Sequence, residues 1–401
     1  MLDLNKLYKQ ISALGIYQQN RSNDLVKAVK AAKAQVLSVL ENPQAFRDKL
    51  ERANASWLIA IPTDEEPFTT FAPRACPESY TVLSTDGSQI NPDRHSPHPA
   101  LLINVGKVKI GYGDFLGYKM ESEPSLFFEE RDIKRRFGGE EREVSGQVLA
   151  ALRQKMEHEE LKTMIEECGQ TPAVALVDGT LILWNIEANP KRLKELGTAD
   201  LKQQAFLSFM RLLSVGKETG IPVAGYISSP GSSDVINSLK VSLCPSDPVN
   251  CKECPYKAAS CDGTLPCDKI DGVTDAGLFR RLLGVGKRSS LFISTSEILD
   301  AYGDERVAFF YINVGKEVAR VELPGWVSRD KDMVGLVHAT CLDQANKGSG
   351  YPVAVAEAHE QAVVKSADKH TFDQLIFQVF VKNGIPAAES RKALRKKGGF
   401  I

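Results

Sequence analysis

The sequence lacks the features that are typical of membrane proteins, secreted proteins and strongly basic proteins. No apolar run is long enough to span a membrane, and the N-terminus has no signal-peptide pattern, so we predict a cytoplasmic protein without membrane attachment. An excess of basic charge is missing too, because 50 Lys and Arg residues are balanced by 51 Asp and Glu residues. The net charge of −1 excludes attraction of nucleic acid by the whole molecule, and any such binding must depend on local basic patches.

Internal repeats and low-complexity tracts are absent from the sequence, and cysteine is scarce outside one segment. Five of the eight cysteines lie between residues 244 and 267, which favours a local metal site over a secreted disulfide framework. Their spacing predicts a structural zinc ion or an iron–sulfur cluster, and the alternative is a loop of free thiols. The five residues are Cys244, Cys251, Cys254, Cys261 and Cys267.

Hydrophobic periodicity predicts a mixed α/β fold. Three strands are expected between residues 80 and 128, then a long helix over 140–167, and then a strand, a helix and a strand up to residue 227. Three antiparallel strands followed by this alternation predict a mixed sheet flanked by helices, which is the element order of the RNase H-like fold.

The same patterns divide the chain into three parts. Helical spacing near the N-terminus predicts an antiparallel helical pair, and positive charges are concentrated near the C-terminus. The predicted parts are an N-terminal helical arm over 1–55, a main domain over 56–385 with a Cys-rich insert at about 244–270, and a basic C-terminal tail over 386–401.

Two short phrases contain the candidate catalytic acids. Asp86 and Asp178 each follow an apolar, β-branched run and precede a glycine, which predicts a strand end with a tight turn after it. A carboxylate at a buried strand end is costly to desolvate unless it meets a cation or several hydrogen bonds. We therefore predict that Asp86 and Asp178 form two halves of one Mn²⁺ or Mg²⁺ site, and the alternative is a pair of ordinary turns.

A third acid is expected from the helix between these two phrases. Glu140, Glu141 and Glu143 lie near its predicted start, and the first two share the inward-leaning face of Val144. Acids at this position are also common because they complement the helix dipole. The residues alone leave the choice open.

Other side chains could contact a substrate. His359 follows Tyr351 by about two helical turns, so both can project from one side and bind a metal or a phosphate, although a structural role is the alternative for a single histidine. Lys287 and Arg288 form a small basic cluster that could track a DNA backbone, as could the basic tail. Solvated surface charge is the alternative for both clusters.

Taken together, these motifs resemble the NurA family of prokaryotic DNA-end-processing nucleases. The resemblance spans roughly residues 80–385 and rests on the order and number of several short motifs. These are Asp86-Gly87-Ser88-Gln89, Val177-Asp178-Gly179-Thr180, Phe309-Phe310-Tyr311, the segment 320–326, Asp343-Gln344, Gly350-Tyr351-Pro352 and Ala358-His359.

The resemblance implies an RNase H-like nuclease that depends on Mn²⁺ and acts on single-stranded DNA and duplex ends. It further implies a toroidal homodimer that works with the hexameric ATPase HerA. Carried over residue by residue, it assigns the metal to Asp86, a helix glutamate and Asp178, with Tyr351 and His359 beside them. For the glutamate we favour Glu140.

The sequence therefore predicts an exonuclease and single-strand endonuclease that processes DNA ends in double-strand break repair. One alternative is a non-catalytic nucleic-acid-binding scaffold docked on an ATPase, although such a protein has no need of both Asp-Gly phrases together with Tyr351 and His359. Another alternative is a metal-dependent nuclease that acts on RNA, because discrimination by the 2′-hydroxyl depends on geometry.

Overall fold

A computed structural model describes most of the chain. The described residues are 3–92, 99–137, 140–144, 146–169, 171–184, 201–259 and 265–385. Within these ranges, no helix combines the length and the apolar character that crossing a membrane requires.

The secondary structure alternates strands and helices over much of the chain. The strands are β1 (Ala60–Pro62), β2 (Thr70–Phe71), β3 (Tyr80–Ile90), β4 (Leu101–Tyr112), β5 (Gly117–Phe127), β6 (Lys134–Phe137), β7 (Glu140–Glu143), β8 (Ala173–Asp178), β9 (Val223–Ile227), β10 (Arg288–Ser289), β11 (Phe292–Ser294), β12 (Ala308–Asn313) and β13 (Val318–Leu323). The helices are α1 (Leu4–Glu41), α2 (Pro43–Glu51), α3 (Glu130–Ile133), α4 (Gln147–Glu166), α5 (Leu201–Thr219), α6 (Asp234–Leu243), α7 (Tyr256–Ala259), α8 (Asp275–Leu282), α9 (Gly325–Ser328), α10 (Lys331–Lys347), α11 (Val353–Ala362) and α12 (Ser366–Lys382).

The chain divides into two compact units. The first comprises residues 1–75 and 226–350, and the second comprises residues 76–225 and 351–401. This division differs from the predicted three-part organisation, which stays a prediction.

The second unit contains the strands around which the predicted acids are arranged. β3, β4 and β5 form an antiparallel meander, and β8 pairs with β3 in parallel. β9 lies beside β8. This mixed arrangement confirms the predicted mixed α/β fold, in which antiparallel hairpins and parallel crossovers share a sheet.

The core of this unit lies between β4 and two helices. Alternate residues of β4 (Leu101, Ile103 and Val105) point to one face and pack with Leu149 and Leu152 of α4. The start of α5 contributes Leu201 and Ala205 to the same cluster. Because α4 and β4 are fixed by this apolar contact, the polar residues along α4 are held at defined positions along the sheet.

One predicted strand end is wrong. The sequence predicts that the strand before Asp86 ends there in a tight turn, whereas β3 continues through Gly87 and Ser88 to Ile90. The glycine has no positive φ in the structure, so its lack of a side chain serves close packing and not a turn. The second phrase follows the prediction, because β8 ends at Asp178 and Gly179 has a φ of +99°.

The predicted start of the long helix is also wrong. Residues 140–143 form β7, which pairs with β6 in a small antiparallel ribbon, and α4 begins only at Gln147. Glu140, Glu141 and Glu143 therefore lie on a strand. Gly146, with a φ of +54°, separates this strand from the helix.

In the first unit, the N-terminal segment contains one long helix where a helical pair is predicted. α1 runs unbroken through Gly15 and the polar segment 20–23, and α2 follows after Asn42, whose side chain caps it. The second half of α1 packs Ala32 and Val36 into an apolar cluster with Ile236 of α6. Exposed apolar side chains such as Ile11 and Leu14 occupy its first half.

Candidate active site

Asp86 and Asp178 lie side by side on neighbouring parallel strands. The pairing of β3 with β8 aligns Thr85 with Val177, so the next residue on each strand is one of the two aspartates. After Asp178 the chain turns at Gly179, and the Ile182 N–H donates to Thr180 Oγ1 at 2.9 Å, which fixes this turn. The two phrases, which are remote in the sequence, therefore lie next to each other in the structure.

Tyr351 and His359 lie against these two carboxylates. The Tyr351 hydroxyl donates to Asp178 Oδ1 at 2.8 Å, and His359 Nδ1 lies 2.8 Å from Asp86 Oδ2. His359 is on α11, which packs on β3 and β4, and Tyr351 lies two residues before that helix. The structure thus brings together four of the five predicted catalytic residues.

The α4 acid whose charge interacts with the two aspartates is Glu157, which the sequence analysis missed. Its Oε1 atom is buried and has no hydrogen-bond partner, and its charge interacts with both Asp86 and Asp178. Glu157 lies four residues before the buried Leu161 and so shares its helix face, which is the signal that could have identified it. The sequence analysis favours Glu140 because it predicts this residue to lie on the helix, and that prediction is wrong.

Burial raises the pKa of two carboxylates of the site, Glu157 and Asp178. Burial raises the pKa of Glu157 to about 7, Arg153 opposes this, and the charges of Asp86 and Asp178 add to it. Burial also raises the pKa of Asp178, while the hydrogen bond from Tyr351 counteracts part of the effect. Carboxylates that resist ionisation because of their neighbours are typical of sites that take up a cation.

Each residue of the phrase Asp86-Gly87-Ser88 has a separate contact. Asp86 meets His359, whereas a Cβ on Gly87 would lie 2.3 Å from Glu157 Oε1 on the opposite side of the strand. Ser88 Oγ donates to the Ala362 carbonyl at the end of α11 at 2.5 Å. The phrase therefore joins both helices to the strand that carries Asp86.

β4 holds the same end of α11. Asn104 Nδ2 donates to the Ala362 carbonyl at 2.8 Å and to the Gln361 carbonyl at 3.1 Å. A Cβ on Gly106 would lie 2.3 Å from the Ala358 carbonyl, so only glycine permits this approach of the helix. These contacts fix the helix that presents His359.

The donor set suits a hard divalent cation. Asp86 and Asp178 lie on adjacent strands, and the buried carboxylate of Glu157 on α4 interacts electrostatically with both and has one oxygen without a hydrogen-bond partner. No three His, Cys, Asp or Glu side chains in the described ranges already form a ready-made metal-binding group. Asp86 and Asp178 are engaged by His359 and Tyr351 instead.

The cysteine prediction receives no support. Cys244, Cys251, Cys254 and Cys267 are free thiols, and they form no metal-binding group among the residues that the structure describes. Cys261 lies outside those residues. The four described thiols are half-buried near α6 and the short 3₁₀ turn Pro266–Ile270.

One residue of the predicted DNA-binding cluster is buried. Arg288 donates to Glu65 through Nη1 at 2.9 Å and Nη2 at 2.7 Å, and its guanidinium lies 4.0 Å from the ring centre of Phe71. Its prediction as a phosphate contact is contradicted by this placement, because the guanidinium is already paired inside the unit. Lys287 is exposed, and the basic tail lies outside the described residues.

Comparison with known proteins identifies the family. The NurA domain model matches residues 80–364, and no curated protein matches the chain significantly. The crystal structure of the NurA nuclease from Sulfolobus solfataricus is 13% identical and has a TM-score of 0.57, covering 96% of this chain and 98% of that chain. The shared fold extends over both chains almost completely.

Two further NurA structures are similar over most of the chain. NurA with manganese is 12% identical (TM-score 0.40, 86% of this chain and 96% of that chain), and NurA bound to dAMP and manganese is 10% identical (TM-score 0.41, 87% and 96%). The domain match covers more than half of the sequence, and it confirms both the predicted family and the predicted class, metal-dependent nucleases. This chain belongs to the NurA family.

Proposed function

We propose that this protein is a Mn²⁺- or Mg²⁺-dependent DNA nuclease that degrades single-stranded DNA and processes duplex ends. The observation that carries the proposal is the adjacency of Asp86 and Asp178 in a NurA-family unit, with His359 and Tyr351 in direct contact with them and Glu157 close enough for its charge to interact with both. Phosphodiester hydrolysis by nucleases commonly uses such carboxylates around divalent cations.

The donor chemistry supports manganese or magnesium over a softer metal. All three candidate ligands are carboxylates, which hard cations prefer, whereas zinc sites commonly include thiolate or imidazole. A divalent cation held there would supply Lewis-acid stabilisation of the charge that develops on the phosphate. The Oε1 atom of Glu157 has no hydrogen bond and only Arg153 Nε nearby at 3.4 Å, so it is the position at which an added cation would further neutralise a buried charge.

Glu157 takes the role that the sequence analysis gave to Glu140. α4 approaches β3 at Gly87, and Glu157 is the α4 carboxylate that interacts with both aspartates there. Glu140 is the first residue of β7 and therefore lies on a strand, before α4 begins. We propose Asp86, Glu157 and Asp178 as the complete ligand set of this chain.

His359 and Tyr351 position the aspartates and contact the substrate. The His359 side chain is 57% exposed although its Nδ1 atom is bound to Asp86, so the ring can meet a phosphate or exchange a proton with the leaving oxygen. The Tyr351 hydroxyl orients Asp178 by donating to one of its oxygens. A pair of this kind fixes both ligands before substrate arrives.

Family membership supports the finer assignments. We propose an RNase H-like core, exonuclease and single-strand endonuclease activity in double-strand break repair, a homodimer, and a HerA-type hexameric ATPase as partner. Cytoplasmic location stays a prediction from the sequence.

Nucleotide release from linear single-stranded DNA tests the activity. With Mn²⁺ we expect release by the wild type, none after EDTA, and background release from Asp86→Ala, Glu157→Gln and Asp178→Ala. Glu140→Gln is the matched control, because it removes the acid of the sequence prediction, and it should stay active. Wild-type rates in the three site variants would overturn the proposal.

Two outcomes would favour the alternatives. Tight DNA binding by the wild type without nucleotide release in Mn²⁺ would favour a non-catalytic scaffold. Faster release from an RNA strand of the same sequence than from DNA would make the protein a ribonuclease, since the 2′-hydroxyl distinguishes the two substrates.

A further inference from the structure

Arg153 contacts both β3 and a neighbouring residue of its own helix at the point where α4 packs on β3. Its Nη1 atom donates to the Gly87 carbonyl at 2.7 Å, and its Nε atom lies 3.4 Å from Glu157 Oε1. Arg153 lies one helical turn before Glu157, so the two side chains share a face of α4. The guanidinium therefore links the backbone next to Asp86 to the helix acid.

Arg153 and Glu157 pack tightly against Gly87. A Cβ on Gly87 would lie 2.8 Å from Arg153 Cγ as well as 2.3 Å from Glu157 Oε1. The stem of Arg153 and the carboxylate of Glu157 thus occupy the space that any larger residue would fill. About a third of the Arg153 side chain (35%) is exposed, whereas only 17% of the Glu157 side chain is exposed. Arg153 therefore lies at the edge of the site, between Glu157 and solvent.

The distances from Arg153 to Glu157 and to Gly87 indicate that Arg153 orients the Glu157 carboxylate without fully neutralising its charge. The 3.4 Å separation between Nε and Oε1 is long for a charge-assisted hydrogen bond, and neither atom counts as hydrogen-bonded. Glu157 Oε1 therefore keeps its lone pairs for another positive group. The short bond of Arg153, at 2.7 Å, goes to the strand.

We propose that Arg153 is a positioning residue that holds the Glu157 carboxylate against Gly87, in the orientation that a divalent cation needs. The inference rests on the proposed function, because it presumes that Glu157 is a ligand. Residues that hold ligands in place commonly change metal affinity by about 10- to 100-fold when they are removed.

Two substitutions distinguish positioning from simple charge. Arg153→Ala removes both contacts and also a positive charge that repels the cation. Arg153→Lys keeps the charge but cannot contact the carbonyl and the carboxylate together, because an ammonium group lacks the planar fork of a guanidinium. If Arg153 acted only through its charge, the Ala variant would bind Mn²⁺ more tightly and the Lys variant would bind it normally.

The experiment is a calorimetric Mn²⁺ titration of the full-length protein without DNA. We expect binding about 10-fold weaker in both variants. Lys162→Ala is the matched control, since Lys162 makes an i,i+4 ion pair with Glu166 on the same helix at 2.9 Å and should bind Mn²⁺ normally. Thermal melting without metal should be shifted no more by Arg153→Lys than by the control.

Unchanged or tighter Mn²⁺ binding by Arg153→Ala would overturn the inference, as would wild-type affinity in Arg153→Lys. The Asp86→Ala variant separates this failure from that of the proposed function. If Asp86→Ala loses Mn²⁺ binding while both Arg153 variants retain it, the inference about Arg153 alone is wrong. If Asp86→Ala binds Mn²⁺ normally, the proposed metal site itself is wrong.

Discussion

Gly87 and Glu157 are so close that a Cβ on the glycine would lie 2.3 Å from Glu157 Oε1. The contact joins the middle of β3 to the middle of α4, two elements whose contact residues are about seventy positions apart in the sequence. It explains why glycine follows Asp86 although no turn exists there. It also identifies which α4 glutamate can meet the two aspartates.

Gly87→Ala should therefore displace the Glu157 carboxylate. The obstructing atoms, Glu157 Oε1 and Arg153 Cγ, belong to flexible side chains and not to the backbone, so the fold should survive, while the misplaced ligand should lower metal-dependent nuclease activity by about 100-fold. Gly117→Ala is the control, because a Cβ there meets nothing closer than 3.9 Å. Steady-state rates with saturating Mn²⁺ and melting curves measure the two effects, and full activity in Gly87→Ala would contradict this explanation.

Glu157→Gln should stabilise the metal-free protein at alkaline pH. Because the pKa of Glu157 is raised from 4.5 to about 7, the folded protein keeps a proton that the unfolded chain has already lost, and stability falls as pH rises between these values. The neutral amide avoids this loss. The free energy of unfolding of the variant should therefore exceed that of the wild type by at most about 3 kcal/mol at pH 8 and by almost nothing at pH 5.

Thermal melting at both pH values, with and without Mn²⁺, measures this difference. Mn²⁺ should stabilise the wild type at pH 8 and the variant much less, since binding to the folded state adds stability by mass action. Glu159→Gln on the same helix, whose side chain pairs with Lys155, is the control. Equal melting temperatures of wild type and Glu157→Gln at pH 8 would contradict the raised pKa of the Glu157 carboxylate in the folded protein.

Ser88 and Asn104 should show strongly non-additive effects, because both donate to the buried Ala362 carbonyl. Ser88→Ala alone leaves that carbonyl bonded and should cost less than about 1 kcal/mol of unfolding free energy. Asn104→Ala also loses the bond to Gln361 and should cost somewhat more. The double variant leaves the carbonyl unsatisfied, which should cost about 1–3 kcal/mol beyond the sum.

Urea unfolding of the two single variants and the double variant measures this coupling. Activity should fall in the double variant because α11 presents His359 to Asp86. Strictly additive free energies would mean that the two side chains do not share their acceptor.

Arg288→Ala should unfold the first unit more readily without selectively weakening DNA binding. The substitution leaves the Glu65 carboxylate buried without its bidentate partner, which typically costs about 3–5 kcal/mol. Lys287→Ala removes the neighbouring exposed charge and should leave stability nearly unchanged.

Combining Arg288→Met with Glu65→Leu should restore much of the lost stability, because a buried ion pair can often be replaced by apolar side chains of similar size. Denaturant unfolding measures these changes. Reduced DNA affinity in a stably folded Arg288→Ala protein would instead return Arg288 to the phosphate-binding role that the sequence suggested.

The sequence by itself determined the fold class, the family and four of the five candidate site residues. Its local patterns were sufficient because apolar, β-branched runs form strands, and Asp178 stands where β8 ends in a glycine turn. The motif pair Tyr351 and His359 carried enough sequence information to associate both residues with the aspartates before any distance was known.

Only the tertiary structure decided which glutamate lies near the two aspartates and why Gly87 is a glycine. Both answers depend on where α4 crosses β3, and that crossing is fixed by apolar contacts of Leu149 and Leu152 with β4. The spacing of Glu157 with Leu161 places it on the buried face of α4, but spacing alone does not show which strand that face meets. Arg288 was misjudged for the same reason, because its partner Glu65 is 223 residues away in the sequence.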